Sequence, residues 1–149
     1  MKIVNRSYNR EYEEIEKYEA GIALTGGEVK VVQQGGIKLE GSFVKLRDDG
    51  AYLLNAEIPP YQYARDKEYD PKRSRRVLLH QEELERLRSK IASAPSLTIV
   101  PIACYNKGRL LKLEIALSRG RKDLEKRKRE KARDVKRAQE KEAKEYTRG

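Results

Sequence analysis

The chain has 149 residues, 39% of them charged and 38% hydrophobic, with a formal net charge of +10, a length that favours one compact domain with an appendage over two domains. A basic excess of this kind points to a polyanionic partner, either nucleic acid or an anionic membrane surface. No apolar run approaches the ~18 residues of a membrane span, the opening MKIVNRSYNREYEE lacks a signal-peptide apolar region, and the single cysteine, Cys104, excludes an internal disulfide and fits a reducing cytoplasm. Nucleic acid is the better-matched partner.

In chain order, residues 1–12 are polar, basic and aromatic, and read as an arm laid over the surface. From about Glu13 to Leu24, Tyr18, Ala20, Ile22 and Leu24 alternate with Lys17, Glu19, Gly21 and Ala23, a period of two that predicts a strand. Thr25 and Glu28 stand at capping-box spacing, which predicts a short helix over 26–34 closed by Gly35 and Gly36. Residues 41–58, GSFVKLRDDGAYLLNAEI, read as a hairpin around Asp48-Asp49-Gly50, with Tyr52, Leu54, Ala56 and Ile58 sharing a face of the second run. Pro59-Pro60 stops that strand and 59–73 is a loop. Over 75–92, Leu84, Leu87 and Ile91 fall at helical spacing and predict an amphipathic helix. A second hairpin, SLTIVPIACY and LLKLEIAL around Asn106-Lys107-Gly108, puts Leu111, Leu113, Ile115 and Leu117 on one face, with Lys112 and Glu114 on the other. Five or six turn-connected strands with two short helices predict a mainly β fold. A small antiparallel barrel or strongly curled sheet would remove exposed edges.

Residues 119–149, RGRKDLEKRKREKARDVKRAQEKEAKEYTRG, hold 14 Lys and Arg against 7 Asp and Glu, whereas residues 1–118 hold 20 against 17. Acid-before-base pairs at i, i+4 (Asp123–Arg127, Glu125–Arg129, Glu140–Lys144) each support a helix by a few tenths of a kcal/mol. Gly and Pro are absent from 121 to 148. The segment is helix-ready but has no face to bury, so it is expected to be disordered when free and to order in an external groove. The expected division is a folded body over 1–118 and a basic tail over 119–149.

Catalytic chemistry is hard to find. His80 is the only histidine and precedes a helix, where a cap or surface role is expected. Cys104 lies in an apolar strand and reads as a small core residue. No His/Cys cluster offers a zinc site, and GEVKVVQQGG matches no phosphate-binding glycine loop. No metal, cofactor or enzymatic activity is therefore expected. Binding chemistry is easier to find. Tyr8, Tyr12, Tyr18, Tyr61, Tyr63 and Tyr69 lie among arginines and lysines, a combination that stacks on unpaired bases while the cations hold phosphates. For each tyrosine the alternative is a place at the core boundary.

Several stretches, taken in order, resemble one family. Asn5-Arg6, YEAGIALTGGEVK (18–30), GSFVKL (41–46), DPKRSRRVLLH (70–80), LTIVPIACY (97–105) and LSRGRKDLEKR (117–127) are similar to the small protein B family (SmpB), the SsrA-binding proteins of bacteria. The match is collinear from Asn5 to Arg127. The resemblance implies a barrel related to oligonucleotide-binding folds, with short helices and a basic C-terminal tail. It further implies a cytoplasmic, monomeric, non-catalytic adaptor that binds the tRNA-like domain of transfer-messenger RNA and delivers it to stalled ribosomes. There the tail would occupy the empty mRNA channel and decoding site, and the unfinished product would be tagged for proteolysis. Carried over by position, the RNA-facing candidates, on the RNA surface or supporting it, are Asn5, Arg6, Glu19, Glu28, Lys30, Leu78 and Lys112. Gly120, Arg121 and Lys122 match the family's G-K-K, and Glu125, Lys126 and Arg127 its D-K-R, the element linked to the decoding site. The chain departs from the family pattern at Val31 and Gln33, which replace a serine and an arginine. It departs again at Leu124, where an aromatic or histidine is common, and at Pro95-Ser96, which replaces a glycine. A general RNA-binding barrel would share this charge and tail without preferring one RNA, and an RNA-modifying or RNA-cleaving enzyme would need a polar catalytic cluster.

Overall fold

The computed structural model describes the backbone of residues 1–148 and their side chains except at 123–128 and 142–148. Seven strands form one antiparallel sheet: β1 (Lys2–Val4), β2 (Tyr12–Ile22), β3 (Phe43–Arg47), β4 (Gly50–Leu54), β5 (Arg75–Leu78), β6 (Leu97–Lys107) and β7 (Leu110–Gly120). Their order is β1-β6-β3-β4-β5-β2-β7, and pairing of β6 with β7 closes the ring from β6 round to β7. β1 lies outside that ring, paired along β6 from Lys2↔Tyr105 to Val4↔Ala103.

The interior follows the period-two pattern of the strands. Leu53, Ile99, Leu113, Ile115 and Leu117 are fully buried, while Lys112 and Glu114 keep to the outer face. The helices α2 (Gly26–Gln33) and α3 (Gln81–Ser93) pack onto this core. Val31 and Val32 anchor the first, and the completely buried Leu87, with Leu84 and Ile91 beside it, anchors the second. The capping box at α2 forms as predicted: Thr25 Oγ1 accepts from the Glu28 N–H, and the Glu28 carboxylate accepts from the Thr25 N–H. Each reciprocal bond satisfies a donor that the helix leaves without a partner. Cys104 is a buried core residue, its thiol pushed up to about 11 by burial.

Four expectations need correction. The segment 75–92 is not one helix. Residues 75–78 form β5, with Arg75 and Val77 inward and Arg76 and Leu78 outward, and α3 begins only at Gln81. The helical spacing of Leu84, Leu87 and Ile91 does not extend upstream, where four residues follow an alternation of their own. The shared face of Tyr52, Leu54, Ala56 and Ile58 is also wrong. Ala51 and Leu53 point inward on β4, and Asn55 then takes φ 65°, a left-handed kink that shifts the alternation by one and sends Ala56 and Ile58 inward. The second hairpin turns one residue later than expected, at Gly108-Arg109, with Gly108 at φ 62° and Lys107 still paired to Leu110. Finally, the N-terminal arm is integrated, not draped. β1 extends the sheet, and Tyr8, on the short helix α1 (Tyr8–Glu11), is 3% exposed against Val100 and Ala116.

The ring outlasts the apolar run that ends at Leu117. β7 continues to Gly120, which pairs with Tyr12, and the buried Ser118 bonds the Tyr8 hydroxyl at 2.6 Å. The final helix, α4 (Arg121–Arg148), starts at the next residue. Every described side chain from 129 to 141 is exposed.

Candidate RNA interface

Lys112 lies near the start of β7, opposite Gly21 of β2 on one side and Tyr105 of β6 on the other. Gly21 is in turn opposite Leu78 of β5. A side chain at Gly21 would bring a Cβ to 3.2 Å from that of Leu78, so glycine lets Leu78 lie close over β2. These crossings frame an open groove of about 520 Å³, lined by Glu19, Leu78, His80, Arg109, Leu110 and Lys112 among others. Leu78 and Leu110 are 52% and 62% exposed. An apolar ledge with cations beside it has the chemistry that suits a nucleotide, a flat surface for a base and positive charge for a phosphate.

Glu19, on the outer rim of this groove, holds two donors. It accepts from the Tyr105 hydroxyl and, at 2.9 Å, from Lys107 Nζ. The Tyr105 bond, then that of Lys107, holds its pKa below the usual carboxylate range, and the same contact pushes the Tyr105 phenol up to about 12. Glu19 therefore stays ionised and fixes an aromatic ring and an ammonium beside the groove. Its contacts orient those two side chains.

The other sequence candidates divide by burial. Glu28 is 2% exposed and cannot reach a ligand. Its carboxylate accepts from both Arg73 and the fully buried Arg75, from the Tyr69 hydroxyl at 3.0 Å, and from the Thr25 N–H. Burial alone would raise its pKa; the Arg73, Thr25 and Arg75 contacts prevail and hold it at about 2. Arg75 also donates to the carbonyls of Ala56 and Pro71. Glu28 thus ties α2 to β5 and to the 59–73 loop, and it supports the surface from beneath. Asn5 is likewise buried: its amide donates to Pro101 O and Leu39 O, and its Oδ1 accepts from Ser7. Arg6 and Lys30 are exposed. Lys30 stands 6.0 Å from the Tyr61 ring centroid, and Tyr61 meets Tyr63 edge-on at 5.3 Å. Tyr63, 72% exposed, is the freest aromatic of the six named from the sequence. Tyr8 is a core residue stacked on Tyr12, and Tyr69 is bound into the Glu28 network, so neither can stack on a base.

Tyr105, Lys107, Arg109 and Leu110 are not among the sequence candidates. Their signal lies in pairing register: the Gly108-Arg109 turn brings them back beside Lys112, and register is not visible in a single strand's pattern.

At the other end of β7, Gly120 closes the ring against Tyr12, and Arg121 Nε donates to Asn9 O at 2.7 Å. Lys122 lines a cavity of about 480 Å³ with Arg10, Glu11 and Tyr12. The tail is therefore anchored by α1 before it leaves the body. The expectations placed on Leu124, Glu125, Lys126 and Arg127 fall on side chains outside the described residues. Lys112 and Gly120 are eight residues apart on one strand, roughly 26 Å at ~3.3 Å per residue. The groove and the tail root are held at opposite ends of a rigid strut.

The profile of the SmpB protein family matches residues 2–145. The chain belongs to the SmpB family. Among SmpB-family relatives, the SsrA-binding protein of Trichodesmium erythraeum is 43% identical, over 95% of this chain and 91% of its own. That of Thermus thermophilus is 42% identical, over 91% and 94% respectively. A solved chain from work described as "tmRNA-SmpB: a journey to the center of the bacterial ribosome" superposes with a TM-score of 0.65 at 41% identity, covering 80% of this chain and 83% of its own.

Proposed function

We propose that this SmpB-family protein is an RNA-binding adaptor of trans-translation. It binds the tRNA-like domain of transfer-messenger RNA through the β2–β5–β7 groove and carries that RNA to stalled ribosomes. The observation that carries the reading is the convergence of Glu19, Leu78 and Lys112, distant in sequence, on one groove rim opposite the tail root. Leu78 offers a surface to a base, Lys112 a charge to a phosphate, and Glu19 holds Tyr105 and Lys107 in position. Glu28 and Asn5 act from beneath.

The tail then works at a distance from the groove. A helix of 28 residues spans roughly 42 Å at 1.5 Å per residue, long enough to fill a channel. With no buried face over 129–141, such a helix is marginal alone and is completed by a polyanionic groove, here the vacant mRNA channel and decoding site. Arg121, Lys122, Lys126 and Arg127 supply the phosphate contacts. The adaptor is cytoplasmic and monomeric, and it catalyses no covalent step.

Identifying the RNA that co-purifies with the protein tests this reading. One dominant tRNA-like species supports it, whereas bulk ribosomal RNA would favour a general RNA-binding barrel.

A further inference from the structure

The loop between β4 and β5, residues 59–73, carries an aromatic pair that does not line the groove. The Ala64 N–H donates to Tyr61 O at 2.9 Å and closes a turn with Gln62 and Tyr63 at its centre. Tyr61 lies against α2. A side chain at Gly27 would put a Cβ 3.2 Å from that of Tyr61, so the glycine lets the loop come close to the helix. Lys30, three residues on, stands 6.0 Å from the centre of the same ring. Tyr63 then meets Tyr61 edge-on, with ring centres 5.3 Å apart and planes at 72°. Beyond that contact Tyr63 is open to solvent, 72% exposed.

The base of this loop is pinned by the network that supports the groove. The Ile58 N–H donates to Pro71 O at 2.9 Å, and Arg75 Nη2 donates to the same carbonyl at 3.0 Å. The Tyr69 hydroxyl, which also meets Glu28, lies 2.8 Å from Ile58 O. Loop and groove are therefore both referenced to α2, which forms a ridge between them. At ~100° per residue, Gly27 and Lys30 face the tyrosines, while Val29 is turned away from them and lines the groove.

Charge decides what the loop can take. At its tip Arg65 and Lys67 alternate with Asp66 and Glu68, so the tip is close to neutral and makes a poor phosphate clamp. A preoriented, exposed ring in neutral surroundings is instead a platform on which a flat base stacks, whatever that base is. We infer that Tyr63, backed by Tyr61, is a base-stacking subsite for the same RNA that occupies the groove. The strand crosses α2, one unpaired base lies on the Tyr63 ring, and Lys30 meets a phosphate at the crossing. The inference rests on the adaptor reading and adds to it a contact that depends on stacking, not on charge.

The chain has no tryptophan, so Tyr63→Trp places a single indole at the subsite of the full-length protein. Saturation with a transcript of the tRNA-like domain should quench its fluorescence by about half or more, as a stacked base does. Inorganic polyphosphate, which carries backbone charge without bases, should quench it little. Tyr63→Ala should weaken transcript binding about fivefold to tenfold. Its log–log salt slope should stay unchanged, since no phosphate contact leaves with the ring. Tyr63→Phe should bind like the unmodified protein, because the ring is used and not the hydroxyl. An unquenched indole at saturation would overturn the subsite. So would equal quenching by polyphosphate and transcript, or unchanged transcript affinity in Tyr63→Ala. Lys112→Glu separates this from the groove reading: if it leaves binding and slope intact while Tyr63→Ala weakens binding, the groove assignment fails and the subsite stands. A transcript that does not bind the unmodified protein would overturn the adaptor reading and the subsite together.

Discussion

The two ends of β7 solve opposite problems with similar residues. At the groove end, side chains are held by partners: Glu19 fixes Tyr105 and Lys107, and the strand that carries Leu78 is tied to α2 by the buried Glu28–Arg75 pair, with the half-buried Arg73 beside it. At the tail end, the last fixed contacts are Gly120 with Tyr12 and Arg121 with Asn9, after which no described side chain from 129 to 141 is covered. A region built like the first would bind through preorganisation, where specificity comes from geometry set in advance. The second is a helix with no covered side chain over 129–141, and any ordering on a target would lower its affinity per unit area while allowing a long surface to be engaged. A single chain needs both if it must choose one RNA and then enter a channel shaped by another.

The largest expected effect comes from separating them. Ending the chain after Gly120 should abolish tagging on stalled ribosomes while changing affinity for the tRNA-like transcript less than about threefold. Tagging that survives this deletion would break the comparison. The cut must not fall at Leu117, where the apolar pattern ends. That would also remove Ser118, leaving the buried Tyr8 hydroxyl without its partner at a cost of about 1–3 kcal/mol, and it would mix a stability defect with a tail defect. In the intact protein, amides of α4 should exchange far faster than those of β6 and β7.

Next in size is the support beneath the groove. Glu28→Gln should destabilise the body by about 3 kcal/mol or more, since it leaves the buried Arg75 without its counter-charge. Thermal melting should show it, with RNA binding lost in proportion to unfolding. The pH dependence has a definite sign. Glu28 titrates at about 2 in the folded protein, below its unfolded value of roughly 4.3, so its stabilisation is complete above about pH 5. It is lost progressively as pH falls toward 2. The Glu28→Gln variant should lack that part of the acid transition, and an identical acid profile would show that other carboxylates control it.

Much of this was legible in the sequence, and the failures have physical reasons. The barrel, the α2 capping box and the inward run of β7 follow from local periodicity. β5 escapes a reading of the sequence because its four residues abut a helix whose period is easier to see. The kink at Asn55 hides the true inward face of 51–58, since one left-handed residue inverts every later position. At the site, family resemblance finds Glu19, Leu78 and Lys112, and the three converge on one groove. Asn5 and Glu28 prove to be buried, which no residue-type argument could reveal. Tyr105 and Lys107 escape notice because their role comes from cross-strand register to Glu19.

Within the groove, Lys112→Glu should weaken the tRNA-like transcript about tenfold and flatten the salt slope by about one. An unchanged slope would place the phosphate contacts elsewhere on the ring.

The smallest effect is the most discriminating. Glu19→Lys adds positive charge beside an RNA site, so general electrostatics predicts tighter binding to every RNA. The contacts of Glu19 predict something else. Its carboxylate is the acceptor for the Tyr105 hydroxyl and the partner of Lys107. A lysine there can accept from neither, repels Lys107 and frees the Tyr105 ring to rotate. Binding to unrelated RNA should therefore rise slightly while preference for the tRNA-like transcript falls about fivefold, measured by competition at fixed salt. Glu19→Gln should lie between, because an amide oxygen still accepts from Tyr105 but carries no charge for Lys107. If Glu19→Lys tightens binding with its preference intact, orientation of these two side chains is not what the groove uses to recognise its RNA, and charge alone governs both ends of β7.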